Sequence, residues 1–129
     1  MKSKILLIII FFLVKNNVFA ENLSIQAKDI TLDKNKKTSV FKNDVSIITE
    51  EKNSIKSDYA EFDRKKNIIK LRGNIIAKDN LNNTVSSEYA EYDNNTKIFK
   101  SQGPTKIITS ENYKINGKNI IFNSKENII

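Results

Sequence analysis

No cysteine occurs in the 129 residues of this chain, which excludes both a disulfide framework and a thiolate metal site. Histidine is missing too, and with it the commonest general base and the commonest zinc ligand. Many familiar enzyme mechanisms are excluded on that ground alone. A full membrane-spanning run is also lacking. The longest apolar stretch, Ile5 to Val14, has ten residues before Lys15, Asn16 and Asn17 stop it, and a spanning helix needs about 20. Preceded by Lys2 and Lys4 and followed by Val18-Phe19-Ala20, the stretch has the layout of a secretory signal peptide. Residues 1–20 are therefore expected to be a leader cleaved after Ala20, the alternative being an uncleaved anchor. With no cysteine behind the apolar run, a bacterial lipoprotein anchor is excluded.

What is present is a modest positive charge and a repeat. The chain has 22 Lys and Arg against 15 Asp and Glu, a net +7, and the leader carries three of the lysines and no acid, which leaves +4. An excess of that size, spread along the chain, favours weak attraction to anionic partners such as lipid phosphates. No dense basic block or aromatic platform stands out, and a nucleic-acid partner is not expected.

The repeat is thirty residues long: Ile25, Ile55, Val85 and Ile115 are evenly spaced, as are Leu32, Phe62, Tyr92 and Phe122, and Asp33, Asp63, Asp93 and Asn123. Residues 21–129 thus read as one domain of about three and a half units. Within a unit the apolar residues alternate, as on one face of a strand. Ser39, Phe41, Val45 and Ile47 form one such set, Ile69, Leu71, Ile75 and Ala77 a second, and Phe99, Ser101, Thr105 and Ile107 a third. The parity switches earlier in the unit, between Ile55 and Ser57 on one side and Ala60 and Phe62 on the other, which predicts a bulge or bend at Asp58-Tyr59 and again at Glu88-Tyr89. Polar turns are expected from Asp33, Asp63 and Asp93 onward, and looser ones over 48–53 and 78–83. Asn43, Gly73 and Gly103 share a third position, where types tolerant of left-handed backbone angles predict a sharp bend. A single unit is too thin to bury its own apolar face, but stacked units would line up a continuous interior. The expected architecture is all-β, either a closed solenoid or a sheet bent over on itself.

Neither catalysis nor a metal or other cofactor is expected. The candidate carboxylates, Asp58 with Glu61 and Glu88 with Glu91, recur from unit to unit, whereas a catalytic pair is assembled once. Calcium-binding glycine-rich nonapeptides are absent. The recurring aromatics Tyr59, Phe62, Tyr89, Tyr92 and Phe122 read most simply as core.

The phrases Ser57-Asp58-Tyr59-Ala60-Glu61-Phe62-Asp63, Leu71-Arg72-Gly73-Asn74-Ile75 and Ser87-Glu88-Tyr89-Ala90-Glu91-Tyr92-Asp93 resemble the OstA-like family. That family includes the lipopolysaccharide-transport protein LptA and the amino-terminal domain of the outer-membrane assembly protein LptD. The likeness extends over residues 23 to 123. It implies an elongated β-jellyroll, or β-taco, whose interior holds the lipid A acyl chains of lipopolysaccharide, and domains that stack through edge strands. The location implied is the periplasm, in association with the outer membrane. The lining positions it suggests are Leu32, Phe41, Val45, Ile47, Phe62, Ile69, Leu71, Ile75, Phe99 and Ile107. The chain ends in mid-repeat at Ile128-Ile129, so it is expected to be either a short LptA type or a truncated LptD type, with an unpaired last strand. Two other readings stand beside lipid transport: a structural docking module, and an inner-membrane-anchored component of the LptC type.

Overall fold

The computed structural model describes residues 18–20 and 23–124, and every regular element among them is a strand. In chain order these are β1 (Val18–Ala20), β2 (Leu23–Gln26), β3 (Asp29–Asp33), β4 (Thr38–Ile48), β5 (Ser54–Asp63), β6 (Ile68–Lys78), β7 (Thr84–Asp93), β8 (Ile98–Gln102), β9 (Pro104–Ile108), β10 (Lys114–Lys118) and β11 (Ile121–Asn123). All pair antiparallel, and β4 to β7 follow one another as a meander. Most of the expected leader, residues 1–17, lies outside the described residues, as does the expected last edge at Ile128-Ile129. Val18–Ala20, the end of that leader, form β1 alongside β2.

The four long strands are bent at the positions the repeat marks. The β4–β5 ladder breaks between Lys42 and Val45, and the β6–β7 ladder between Arg72 and Ile75. In each case two residues, Asn43-Asp44 or Gly73-Asn74, face the single residue Asp58 or Glu88. This is a β-bulge, which kinks the strand and raises its twist. All four bulged residues have positive φ, from 48° at Asn74 to 81° at Gly73, which explains why Asn, Asp and Gly occupy them. The parity shift predicted near Asp58 and Glu88 is therefore real, with the extra residues carried by the partner strands.

Beyond each bend the strand enters a second leaf. The first half of β4 pairs with β3 and the second half of β5, while its second half pairs with β2 and the first half of β5. At the far end Gly103 (φ 78°) cuts what would be one long strand into β8 and β9, which both pair with β7 but in different leaves. One sheet is thus folded along a line of bulges into two facing leaves around a single apolar core. The turns close as expected. Asp33 Oδ1 accepts the backbone N–H groups of Asn35 and Lys36, and Asp63 and Asp93 do the same for the residues two and three places on. Lys37, Asn67 and Lys97 end these turns with φ of 53–61°.

Candidate functional site

Pairing aligns the inward residues of successive strands into rows that run the length of the fold. In the first leaf Phe62 pairs with Ile69, Ile69 with Tyr92, Tyr92 with Phe99 and Phe99 with Phe122. In the second, Ile25 is followed by Ile47, Ile55, Ala77, Val85 and Ile107. These two rows face each other next to the turns, on the side away from the bend. Among the described residues no strand pairing joins the leaves there. The bend side is filled by Phe41, Val45, Leu71 and Ile75. Each fully buried large side chain stabilises the fold by about 1.5–3 kcal/mol through removal from water.

Nine of the ten candidate lining residues are in this interior: Phe41, Val45, Ile47, Phe62, Ile69, Leu71, Ile75, Phe99 and Ile107 are all buried. Leu32 is not. It pairs with Ser39 and so shares the inward face, but β3 has, among the described residues, a partner strand on one side only, and Leu32 is 55% exposed. Tyr59 and Tyr89 also depart from the core reading. The bulges place them on the outer face, where Arg72 pairs with both and its guanidinium lies 4.1 Å from the Tyr59 ring centre. Tyr89 is 54% exposed. Ile25, Ile55, Val85 and Tyr92 line the interior without having been among the ten. Their own thirty-residue spacing was the signal for them.

The open side, the mouth, is trimmed with polar groups. Turn 49–53 of the second leaf lies over turn 93–97 of the first, and Lys97 Nζ stands 3.8 Å from Glu50 Oε2 while donating to Asn94 Oδ1 at 2.9 Å. Beneath them Tyr92 is 1% exposed; burial foremost, opposed by a hydrogen bond with the Ser124 side chain and aided by the carboxylates of Glu51, Asp93 and Glu50, pushes its hydroxyl up to about 12. A cavity of about 20 Å³ remains, lined by Thr49, Asn53, Ile55, Val85, Tyr92 and Phe99 among others. That holds about one water and is too small for an acyl chain. Among the described residues no group of three or more acidic side chains is placed to hold a metal ion.

A two-leaved, bent antiparallel sheet with a continuous apolar interior, and with no strand pairing among the described residues along one side, defines the class: a β-jellyroll. The model of the LptC-related lipopolysaccharide-assembly family matches residues 12–129, and the chain belongs to that family. The fold is also that of LptH from Pseudomonas aeruginosa, described as the LptA homologous periplasmic component of the conserved lipopolysaccharide transport device. The two superpose with a TM-score of 0.72 over 82% of this chain and 78% of that one, at 16% sequence identity. No curated protein matches the chain in sequence.

Proposed function

We propose that this chain is a non-catalytic periplasmic lipopolysaccharide-binding domain, which takes the acyl chains between its two leaves and passes the lipid toward the outer membrane. The observation that carries the reading is the pair of facing apolar rows along a side where no strand pairing among the described residues joins the leaves. Seated there, acyl chains would gain about 0.8 kcal/mol per buried methylene, so affinity needs no special polar group. Other domains of the same fold would add to β3 and β10, each paired on one side only among the described residues, where Leu32 and Ile115 leave inward-facing apolar surface exposed.

The test is photo-crosslinking in a lipopolysaccharide-producing host, with the crosslinker at Phe62 or Leu71 and, as control, at exposed Lys65 in the turn after β5. Adducts at the inward positions and none at Lys65 are expected. An exported, folded protein that gives no adduct would leave the interior an ordinary closed core and the chain a docking module. The family match favours one further reading, a component of the LptC type that stays anchored by residues 1–20. Sequencing the mature amino terminus separates the two: a start at Glu21 means release, and a retained leader means an anchor.

A further inference from the structure

The two leaves carry different charge on their outer faces. On the first leaf carboxylates and cations alternate across the strands, as along Glu61, Lys70, Glu91 and Lys100. On the second leaf, over its strands from β2 to β10, two outward rows run in register. One passes from Ser24 through Ile48 and Lys78 to Lys114, the other from Gln26 through Lys56 and Ile76 to Lys106 and Asn116. Lys118 adds a fifth lysine at the end of β10, and no outward position on these strands is acidic. All five lysines are exposed, and among the described residues none is in an ion pair. Carboxylates border this face only at its margins, and most are engaged. At the line of bends Asp44 is held by Lys28 at 2.8 Å, while Asp58 and Glu88 both accept hydrogen bonds from Asn74. Asp79, in the turn after β6, is buried and bonded to the backbone of Leu81 and Asn83. Glu50, Glu51 and Glu111 lie in the turns beyond the rows.

We propose that the outer face of the second leaf docks on the surface of an anionic phospholipid bilayer. Charge complementarity carries the proposal. Five unpaired lysines with no acid among them make a positive field on one side of the fold only, and each lysine at such a surface adds about fivefold to binding. Ile48 and Ile76, 42% and 47% exposed, stand among these lysines, placed to enter the boundary between headgroups and acyl chains. A nucleic acid fits this face less well. Both arginines of the chain lie elsewhere, Arg72 on the first leaf and Arg64 in the turn after β5, and no aromatic side chain points outward from these strands. The face therefore lacks both the forked phosphate donor and the stacking platform that such a partner uses. The proposal concerns the outside of the fold and does not depend on what the interior holds.

The experiment measures co-sedimentation of the exported chain, purified as its host processes it, with two kinds of vesicle. One contains equal parts of phosphatidylglycerol and phosphatidylcholine, the other phosphatidylcholine alone. Tighter binding to the anionic vesicles is expected, weakening as salt is raised. Lys56→Gln combined with Lys106→Gln should weaken that binding by about 25-fold. Lys70→Gln combined with Lys100→Gln removes the same charge from the first leaf, which would lie more than a Debye length of about 8–10 Å from the surface, and should cost less than about twofold. Equal binding to the two vesicles, or equal losses from the two pairs, would overturn the proposal. So would indifference to both vesicles in a chain that binds a duplex oligonucleotide through the same lysines. The chain has no tryptophan, so Ile76→Trp reports on the contact itself. Its emission should move to the blue with anionic vesicles, and that of Lys70→Trp should not. A reporter at position 76 that stays unshifted while the chain sediments would mean that another surface docks, ending the proposal.

Discussion

Leu32 and Phe62 occupy the same place in the repeat and both face inward, yet Leu32 is 55% exposed and Phe62 1%. The difference is one of neighbours. Phe62 has strands on both sides and a second leaf above it, whereas Leu32 sits on β3, which among the described residues pairs only with β4. The bend shows the same contrast between middle and end. A side chain at Gly73 would bring its Cβ within 2.7 Å of Asp58 Oδ2, but at Gly103, with nearly the same φ, nothing lies within 4 Å. In a stacked-unit fold, burial belongs to a position only when the next unit is there to supply it.

The sharpest way to break that comparison is to truncate both members of the pair. Phe62→Ala is expected to destabilise the chain by about 3–5 kcal/mol through the cavity it leaves, and Leu32→Ala by less than about 1 kcal/mol. Urea denaturation reads both, and similar losses would mean the edge is covered in solution. The bend gives the next largest effect. Gly73→Ala is expected to lose about 2–3 kcal/mol, from the strain of positive φ together with the clash on Asp58, and Gly103→Ala only about 1 kcal/mol, from φ alone. Equal losses would show that backbone angle governs both sites and that the close approach at Gly73 relaxes freely.

Tyr92 sharpens the comparison between a hydroxyl-bearing unit and its phenylalanine neighbours. Its folded pKa, pushed up to about 12, lies above the ordinary value of 10.0. Between those two values the unfolded chain therefore loses its proton first. Stability attributable to this group is complete below pH 10 and falls by up to about 2 kcal/mol as pH rises toward 12. Alkaline unfolding of Tyr92→Phe should be shallower over that window, and identical curves would refute the assigned burial. The smallest change is expected at the rim. Lys97→Met removes the 3.8 Å contact with the half-exposed Glu50, which should alter stability by less than about 1 kcal/mol. Uptake of an apolar dye, measured by stopped flow, should nevertheless become faster, and an unchanged rate would show that this pair does not hold the mouth.

Much of this was legible in the residues. The alternation around Phe41, Leu71 and Ile75 placed them inward, because a strand has only two faces. Asp33, Asp63 and Asp93 announced turns because their carboxylates can bond the backbone two and three residues on. The parity shift before Ala60 and Ala90 announced the bend. Less legible were Tyr59 and Tyr89, whose recurrence suggested core until the bulge turned them outward to Arg72. Leu32 shares the inward face and yet is exposed, since a periodic pattern carries no mark of which strand lies at an edge.

The sequence by itself determined the strands, their inward faces, the turns and the line of bends, because each follows from local periodicity and from residues that tolerate particular backbone angles. Only the tertiary structure decided that no strand pairing among the described residues joins the leaves on one side, which inward residues stay exposed, and that Tyr92 and Asn53 line a single cavity. Those properties arise between strands far apart in the chain, where register and the facing of two leaves bring together groups whose spacing along the sequence gives no sign of contact.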